Sequence, residues 1–170
     1  YRDGRLFCED VDLVELAAEV GTPCYVYSRA TLELHYDRLM EAFGELRPLI
    51  CYSVKSNSNL SVVKVLADRG SGMDVVSGGE LHRARLAGVP MDRVVYAGVG
   101  KTDEEIQDAL GVSERAVSMC GGEGIGLFNI ESEMEFETIG QIAQGLGVVG
   151  HAALRINPDV DPKTHRHTTT

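Results

Sequence analysis

From Leu49 onward, short apolar runs alternate with polar turns and then with segments whose apolar residues recur at helical spacing. The run Leu49-Ile50-Cys51-Tyr52 leads through Val54 to Lys55 and reads as a strand over 49–55, followed at once by serines and asparagines. A helix is predicted over Leu60–Asp68, with Asn59 as N-cap and Gly70 as stop. Met73–Val76 reads as the next strand, and Ser77 with Glu80 has the spacing of a capping box opening a helix that ends at Gly88. Val94–Ala97 is a third strand, and Thr102 with Glu105 a second box, opening a helix to about Leu110. Ile125–Ile130 is a fourth strand. Ser132 with Glu135 is a third box, before a stripe of Phe136, Ile139, Ile142, Ala143 and Leu146. Ala152–Ile156 is a fifth strand, broken by Pro158. Residues 111–124, rich in glycine and without clear periodicity, read as a loop.

Before this regular part the pattern is shorter and less even. Residues 4–8 read as a strand. A helical stripe of Leu13, Val14, Leu16, Ala17 and Val20 follows, stopped by Gly21 and Pro23. Cys24–Tyr27 reads as another short strand. Leu32, Tyr36, Leu39, Met40 and Phe43 lie on one face of a helix ending near Gly44.

Strand, turn and helix repeated in this way predict an α/β fold with parallel strands and helical crossovers. The pattern fits either an open doubly wound sheet or a barrel. Composition changes the picture little: 170 residues, 44% hydrophobic and 25% charged, suit one globular domain of ordinary size. Charge excludes more. With 16 basic against 26 acidic residues the net charge is −10, which disfavours nucleic acid and anionic membrane surfaces as partners. No apolar run approaches the roughly 20 residues of a membrane span. Cys8, Cys24, Cys51 and Cys120 lie far apart, so neither a zinc site nor a disulfide framework is expected, and reduced thiols in a cytoplasm are. No metal site is expected from the scattered histidines, His165 and His167 among them.

The candidate chemistry sits at the carboxyl ends of the strands, where ligands bind in parallel α/β folds. Those ends carry Lys55, Asp74 with Ser77, Gly98, Asn129 with Glu131, and Arg155 with Asn157. A lysine beside an acid and an arginine is what a lysine-based covalent site needs, because an amine attacks carbonyl carbon. Gly98-Val99-Gly100-Lys101-Thr102 looks like the end of a P-loop, but Val95 stands where that motif needs its first glycine. The reading kept is a βα turn capped by Thr102. Ser77-Gly78-Gly79 reads either as a simple cap or as a helix N-terminus left open beside a ligand.

Five stretches carry a resemblance. They are Tyr52-Ser53-Val54-Lys55-Ser56-Asn57, Gly72-Met73-Asp74-Val75-Val76-Ser77-Gly78-Gly79-Glu80-Leu81, Ala97-Gly98-Val99-Gly100-Lys101-Thr102, Phe128-Asn129-Ile130-Glu131-Ser132 and Leu154-Arg155-Ile156-Asn157-Pro158-Asp159-Val160. In this order, over nearly the whole chain, they resemble the alanine-racemase-like pyridoxal-phosphate decarboxylases, and among these the diaminopimelate decarboxylases.

The resemblance implies a partial (β/α)8 TIM barrel of about five βα units. Residues 1–30 would be N-terminal segments associated with a β-domain, and 31–170 an incomplete cofactor-binding barrel domain. It implies pyridoxal 5'-phosphate held covalently by Lys55, with Asp74 beside the cofactor. Glu80 and Arg155 match an acid and an arginine near it, expected to pair with each other. The reaction implied is decarboxylation of meso-2,6-diaminopimelate to L-lysine and carbon dioxide, by a homodimer that uses no nucleic acid or membrane. In such proteins the ring-stacking histidine, the glycine-rich phosphate loop and the substrate-binding residues follow the fifth strand. A closed barrel needs eight strands and about 250 residues, so this chain is expected to be a portion of one, inactive alone. The alternatives are a related ornithine, arginine or carboxynorspermidine decarboxylase, and a non-catalytic barrel that binds the cofactor.

Overall fold

A computed structural model describes residues 1–160 and 163; His165 and His167 lie outside these. The chain forms two compact units, one of Tyr1–Pro48 and one beginning at Leu49.

In the first unit, β1 (Phe7–Cys8) pairs antiparallel with β2 (Val11–Asp12), so only the end of the segment expected over 4–8 forms a ladder. Asp12 then caps α1 (Leu13–Val20), its carboxylate accepting from the Val14 and Glu15 N–H groups. Gly21, at φ 85°, ends that helix. Ser28 caps α2 (Arg29–Ala42). The Glu9 carboxylate accepts from the Ala30 N–H and the Ser28 hydroxyl, contacts that hold it below the usual carboxylate range. Cys24–Tyr27, expected to be a strand, is not one. Among the described residues nothing pairs with it, and an unpartnered segment has no ladder to satisfy its backbone; Tyr25 and Tyr27 are exposed.

The second unit is built on β3 (Cys51–Ser53), α3 (Leu60–Asp68), β4 (Gly72–Val75), α4 (Gly78–Leu86), β5 (Val94–Tyr96), α5 (Asp103–Ala109), α6 (Glu114–Cys120), β6 (Leu127–Ile130), α7 (Glu133–Leu146) and β7 (Ala152–Leu154). Its sheet runs β3-β4-β5-β6-β7, and every pair is parallel. This order decides between the two architectures that the pattern left open. A doubly wound sheet reverses strand order at a switch point; here each strand lies beside its predecessor, as in a barrel wall.

Register sorts the strand residues onto two faces. Tyr52, Met73 and Val94 lie abreast, as do Val75, Tyr96, Phe128 and Ala152. From that face Met73, Val75, Val94, Tyr96 and Phe128 form the core together with Leu81, Ala84, Ile106 and Ile139 of the helices. Ser53, Asp74 and Val95 lie abreast on the opposite face, which also carries Asn129 beside Ala153. These residues are half-buried. A parallel sheet normally has both faces covered, so the half-open face with Ser53, Asp74 and Asn129 is the candidate place for a ligand.

Residues 111–124 are not all loop. Ser113 caps α6 by accepting from the Ala116 N–H, and Gly121, at φ 68°, terminates it. Two turns of helix with one buried residue, Ala116, carry too short a stripe for periodicity to reveal. The cap and the glycine were the signals available.

Where β6 is entered, an added Cβ on Gly126 would stand 2.1 Å from the Asp92 carbonyl oxygen. The Gly126 N–H donates to the carbonyls of Met91 and Val94, which holds the backbones at that separation. Gly126→Ala is expected to destabilise the protein by about 1–3 kcal/mol, the usual cost of overpacking. A lowered midpoint in urea unfolding checks this, and an unchanged midpoint contradicts it.

Candidate active site

Lys55 sits just past its strand, in a single 3₁₀ turn of Val54–Ser56. Fully buried Val54 anchors the turn from below. The Tyr52 hydroxyl donates to the Asn57 carbonyl at 3.1 Å, and Asn57 Oδ1 accepts from the Asn59 N–H at 3.0 Å. Asn59 in turn caps α3 through the Ser61 N–H, and Arg83 of α4 donates to the Ser58 carbonyl. The backbone around Lys55 is thus held from both sides. Its side chain is exposed and has no hydrogen-bond or ion-pair partner among the described residues. A fixed turn carrying an uncommitted amine suits a covalent role better than a structural one.

Asp74 lies on the half-open face beside Ser53, whose hydroxyl donates to Asp74 Oδ2 at 3.1 Å. Cys51 shares that face. Burial, and then the charge of Asp74, push its thiol above the ordinary range, so it is a poor nucleophile at neutral pH.

The remaining loops are tied together by carboxylates. The N-caps of all three predicted capping boxes form: Ser77, Thr102 and Ser132 each accept from the N–H three residues on. Only Thr102 and Glu105 complete a capping box. Glu80 and Glu135 reach one residue further back, accepting from the N–H of Val76 and of Glu131. The open-N-terminus reading of Ser77-Gly78-Gly79 does not hold at Gly78. Its N–H donates to Glu105 Oε1 at 2.7 Å, and a Cβ there would meet the same oxygen at 2.9 Å.

The expected pairing of Glu80 with Arg155 is also replaced. Arg155, directly after β7, donates to Glu131 Oε2 at 3.1 Å, while the Glu80 carboxylate is engaged by the Val76 amide. Glu131 follows the adjacent strand, β6, so it is the acid within reach of Arg155. Its other oxygen accepts from the Gly98 N–H at 3.0 Å. Gly98 has φ 99°, a conformation that side chains rarely adopt. Glu131, Arg155 and Asn157 line a cleft of about 160 Å³.

Sequence reasoning missed Lys101 and Glu135 as a pair. Their side chains are almost wholly buried and in direct contact, and Lys101 Nζ also donates to the carbonyls of Gly98 and Asn129. The ammonium lies 5.2 Å from the centroid of the Tyr96 ring. Burial, and then the nearby Glu105 carboxylate, push the Tyr96 phenol well above its ordinary range, so it stays protonated. Glu105 and Glu135 were legible as acids of helix first turns; that each reaches into a neighbouring loop was not.

A wall of successive parallel βα units with a lysine, an acid and an arginine at its strand ends is part of a barrel with a candidate amine site on one rim. The chain belongs to the pyridoxal-dependent decarboxylases: the model of their pyridoxal binding domain matches residues 29–170. It is similar to the diaminopimelate decarboxylase of Aquifex aeolicus, at 48% identity over all of this chain and 37% of that protein. The diaminopimelate decarboxylase of Vibrio cholerae is likewise 48% identical, over 99% of this chain and 38% of its own length. Among solved structures, the diaminopimelate decarboxylase of M. jannaschii in complex with L-lysine superposes with a TM-score of 0.82 at 38% identity, covering 98% of this chain and 37% of that one. The chain therefore spans a little over a third of the length of the relatives it matches.

Proposed function

We propose that the protein decarboxylates meso-2,6-diaminopimelate to L-lysine and carbon dioxide with pyridoxal 5'-phosphate, and that this chain supplies part of the cofactor's wall. The observation that carries the reading is the placement of Lys55: an exposed, unpartnered amine on a pinned turn at the carboxyl end of β3, adjacent to the strand bearing Asp74. Support for the substrate comes from the 48% identity over the whole chain to diaminopimelate decarboxylases and from a relative of known structure that binds L-lysine.

The residues present fit the cofactor by their chemistry. Lys55 offers the amine that bonds to an aldehyde carbon. Asp74 offers a carboxylate whose orientation is set by the Ser53 hydroxyl, and Arg155 a cation held in place by Glu131. The chemistry supplied by bound pyridoxal phosphate is withdrawal of the electron pair left on carbon as carbon dioxide departs. The chain's own part is to hold and orient. Lys55 Nζ would hold the cofactor through its amine at the carboxyl end of β3. Asp74 would present its carboxylate to the cofactor from the half-open face. We extend the proposal to a cytoplasmic location, with which four free cysteines are consistent, and to a homodimer, which the family resemblance implies.

Borohydride reduction of the full-length protein loaded with pyridoxal phosphate, followed by peptide mapping, tests the site. The expected label is on Lys55, and a label on any other lysine overturns the assignment. Release of lysine from meso-diaminopimelate by the same preparation, with none of the corresponding amine from ornithine or arginine, tests the substrate.

A further inference from the structure

We propose that the buried Lys101–Glu135 pair is a positioning device for the cofactor rim: it sets Glu131, and through Glu131 it aims Arg155. The inference rests on the reading of Arg155 as a cofactor-binding residue. Taking two charges out of water is costly, and a buried ion pair is often no more stable than apolar residues of the same shape. Lys101 and Glu135 are nonetheless only 2% and 9% exposed at their side chains. What the pair contacts explains where it stands.

Lys101 Nζ collects four partners, from helix α7, strands β5 and β6 and the loop after β5. It contacts the Glu135 carboxylate of α7, donates to the Gly98 carbonyl after β5 at 2.7 Å and to the Asn129 carbonyl in β6 at 3.2 Å, and faces the ring of Tyr96. The second oxygen of Glu135 accepts from the Glu131 N–H at 2.8 Å. The Glu131 side chain then joins the Gly98 N–H to the Arg155 guanidinium. Gly98 is therefore gripped twice, by its carbonyl from Lys101 and by its N–H from Glu131. Glu131 is gripped at its backbone by Glu135 and at its carboxylate by Gly98. The residue that meets Arg155 is thus fixed at its backbone by Glu135 and at one carboxylate oxygen by Gly98, whose carbonyl Lys101 holds.

A comparison inside the same molecule separates this from ordinary buried pairing. Arg85 and Asp108 form an equally buried pair, but its partners are the Asp108 carbonyl and the Ser113 hydroxyl, among helices α4, α5 and the start of α6. No strand-end residue takes part in it. One pair holds helices together; the other holds the rim.

The test uses the full-length apoenzyme and measures the dissociation constant for pyridoxal phosphate alongside the melting temperature. Glu131→Gln, on the half-buried rim, is expected to weaken cofactor binding about tenfold, the low end of the loss seen when a group orienting a ligand-holding residue is removed. K101M/E135Q removes both buried charges together, which avoids leaving one unpaired, and is expected to weaken binding by about three- to tenfold. Adding Glu131→Gln to that double variant should weaken binding no further, because all three act through one carboxylate. Arg85→Met should lower the melting temperature without changing the dissociation constant. The proposal is overturned if K101M/E135Q lowers the melting temperature but leaves the constant within about twofold, or if its loss multiplies with that of Glu131→Gln. Borohydride labelling of K101M/E135Q separates this from the parent reading: label retained on Lys55 with unchanged affinity removes only the positioning role, whereas label elsewhere removes the site itself.

Discussion

Lys55→Ala in the full-length protein is expected to lower decarboxylation of meso-diaminopimelate by about four orders of magnitude, the scale of loss when a covalent catalytic group is deleted. The same change should shift unfolding free energy by no more than about 0.5 kcal/mol, because an exposed side chain without partners contributes little to the fold. Those two outcomes together separate a chemical role from a structural one. Lys55→Arg keeps the positive charge but replaces the amine with a guanidinium, which stays protonated and is no nucleophile. It should fail as completely as alanine. Steady-state kinetics with saturating cofactor, read beside a thermal melt, provides the check. Substantial activity in Lys55→Arg would mean that charge, not covalency, is what the position supplies.

The second large effect concerns stability. Asp108→Ala is expected to cost about 3–5 kcal/mol, the usual result of leaving one buried charge without its partner. The Arg85 and Asp108 side chains are 1% and 8% exposed, and Arg85 Nη1 donates to Asp108 Oδ2 at 2.6 Å. Asp108 also accepts from the Ser113 hydroxyl, and Ser113 is the N-cap of α6, so the substitution loosens two features at once. R85M/D108L removes both charges and should recover most of the loss, since apolar residues of similar volume often replace a buried pair at little cost. Urea midpoints for the single and double variants decide it. A double variant no more stable than Asp108→Ala would show that the loss comes from elsewhere than the stranded guanidinium.

Much of the second unit could be read along the chain. The apolar runs near Tyr52, Val75, Val95, Phe128 and Leu154 became the five strands, and Asn59, Ser77, Thr102 and Ser132 became helix caps. These are local matters. A strand needs its own alternation, and a cap needs an oxygen next to the first free N–H groups, so neighbours in sequence suffice. Apart from the short α6, whose stripe was too brief to show, the main errors fell where a partner distant in sequence was required. Cys24–Tyr27 has strand-like residues but no ladder partner among the described residues. Arg155, expected to meet Glu80, turns instead to Glu131 of the neighbouring βα unit.

Lys55 shows the division most clearly. A strand closing on a lysine and a polar turn, with family motifs around it, was enough to single the residue out. Neither spacing nor composition says that the backbone of its turn is pinned while its amine is left uncommitted; that depends on Val54 entering the core and on Tyr52 reaching the Asn57 carbonyl. The belt of Gly98, Lys101, Glu131, Glu135 and Arg155 joins groups from three βα units. Element type and order follow from short-range periodicity and turn chemistry, which one segment carries by itself. Which carboxylate meets which cation depends on strand register, because parallel pairing brings residues two dozen or more positions apart to within one hydrogen bond.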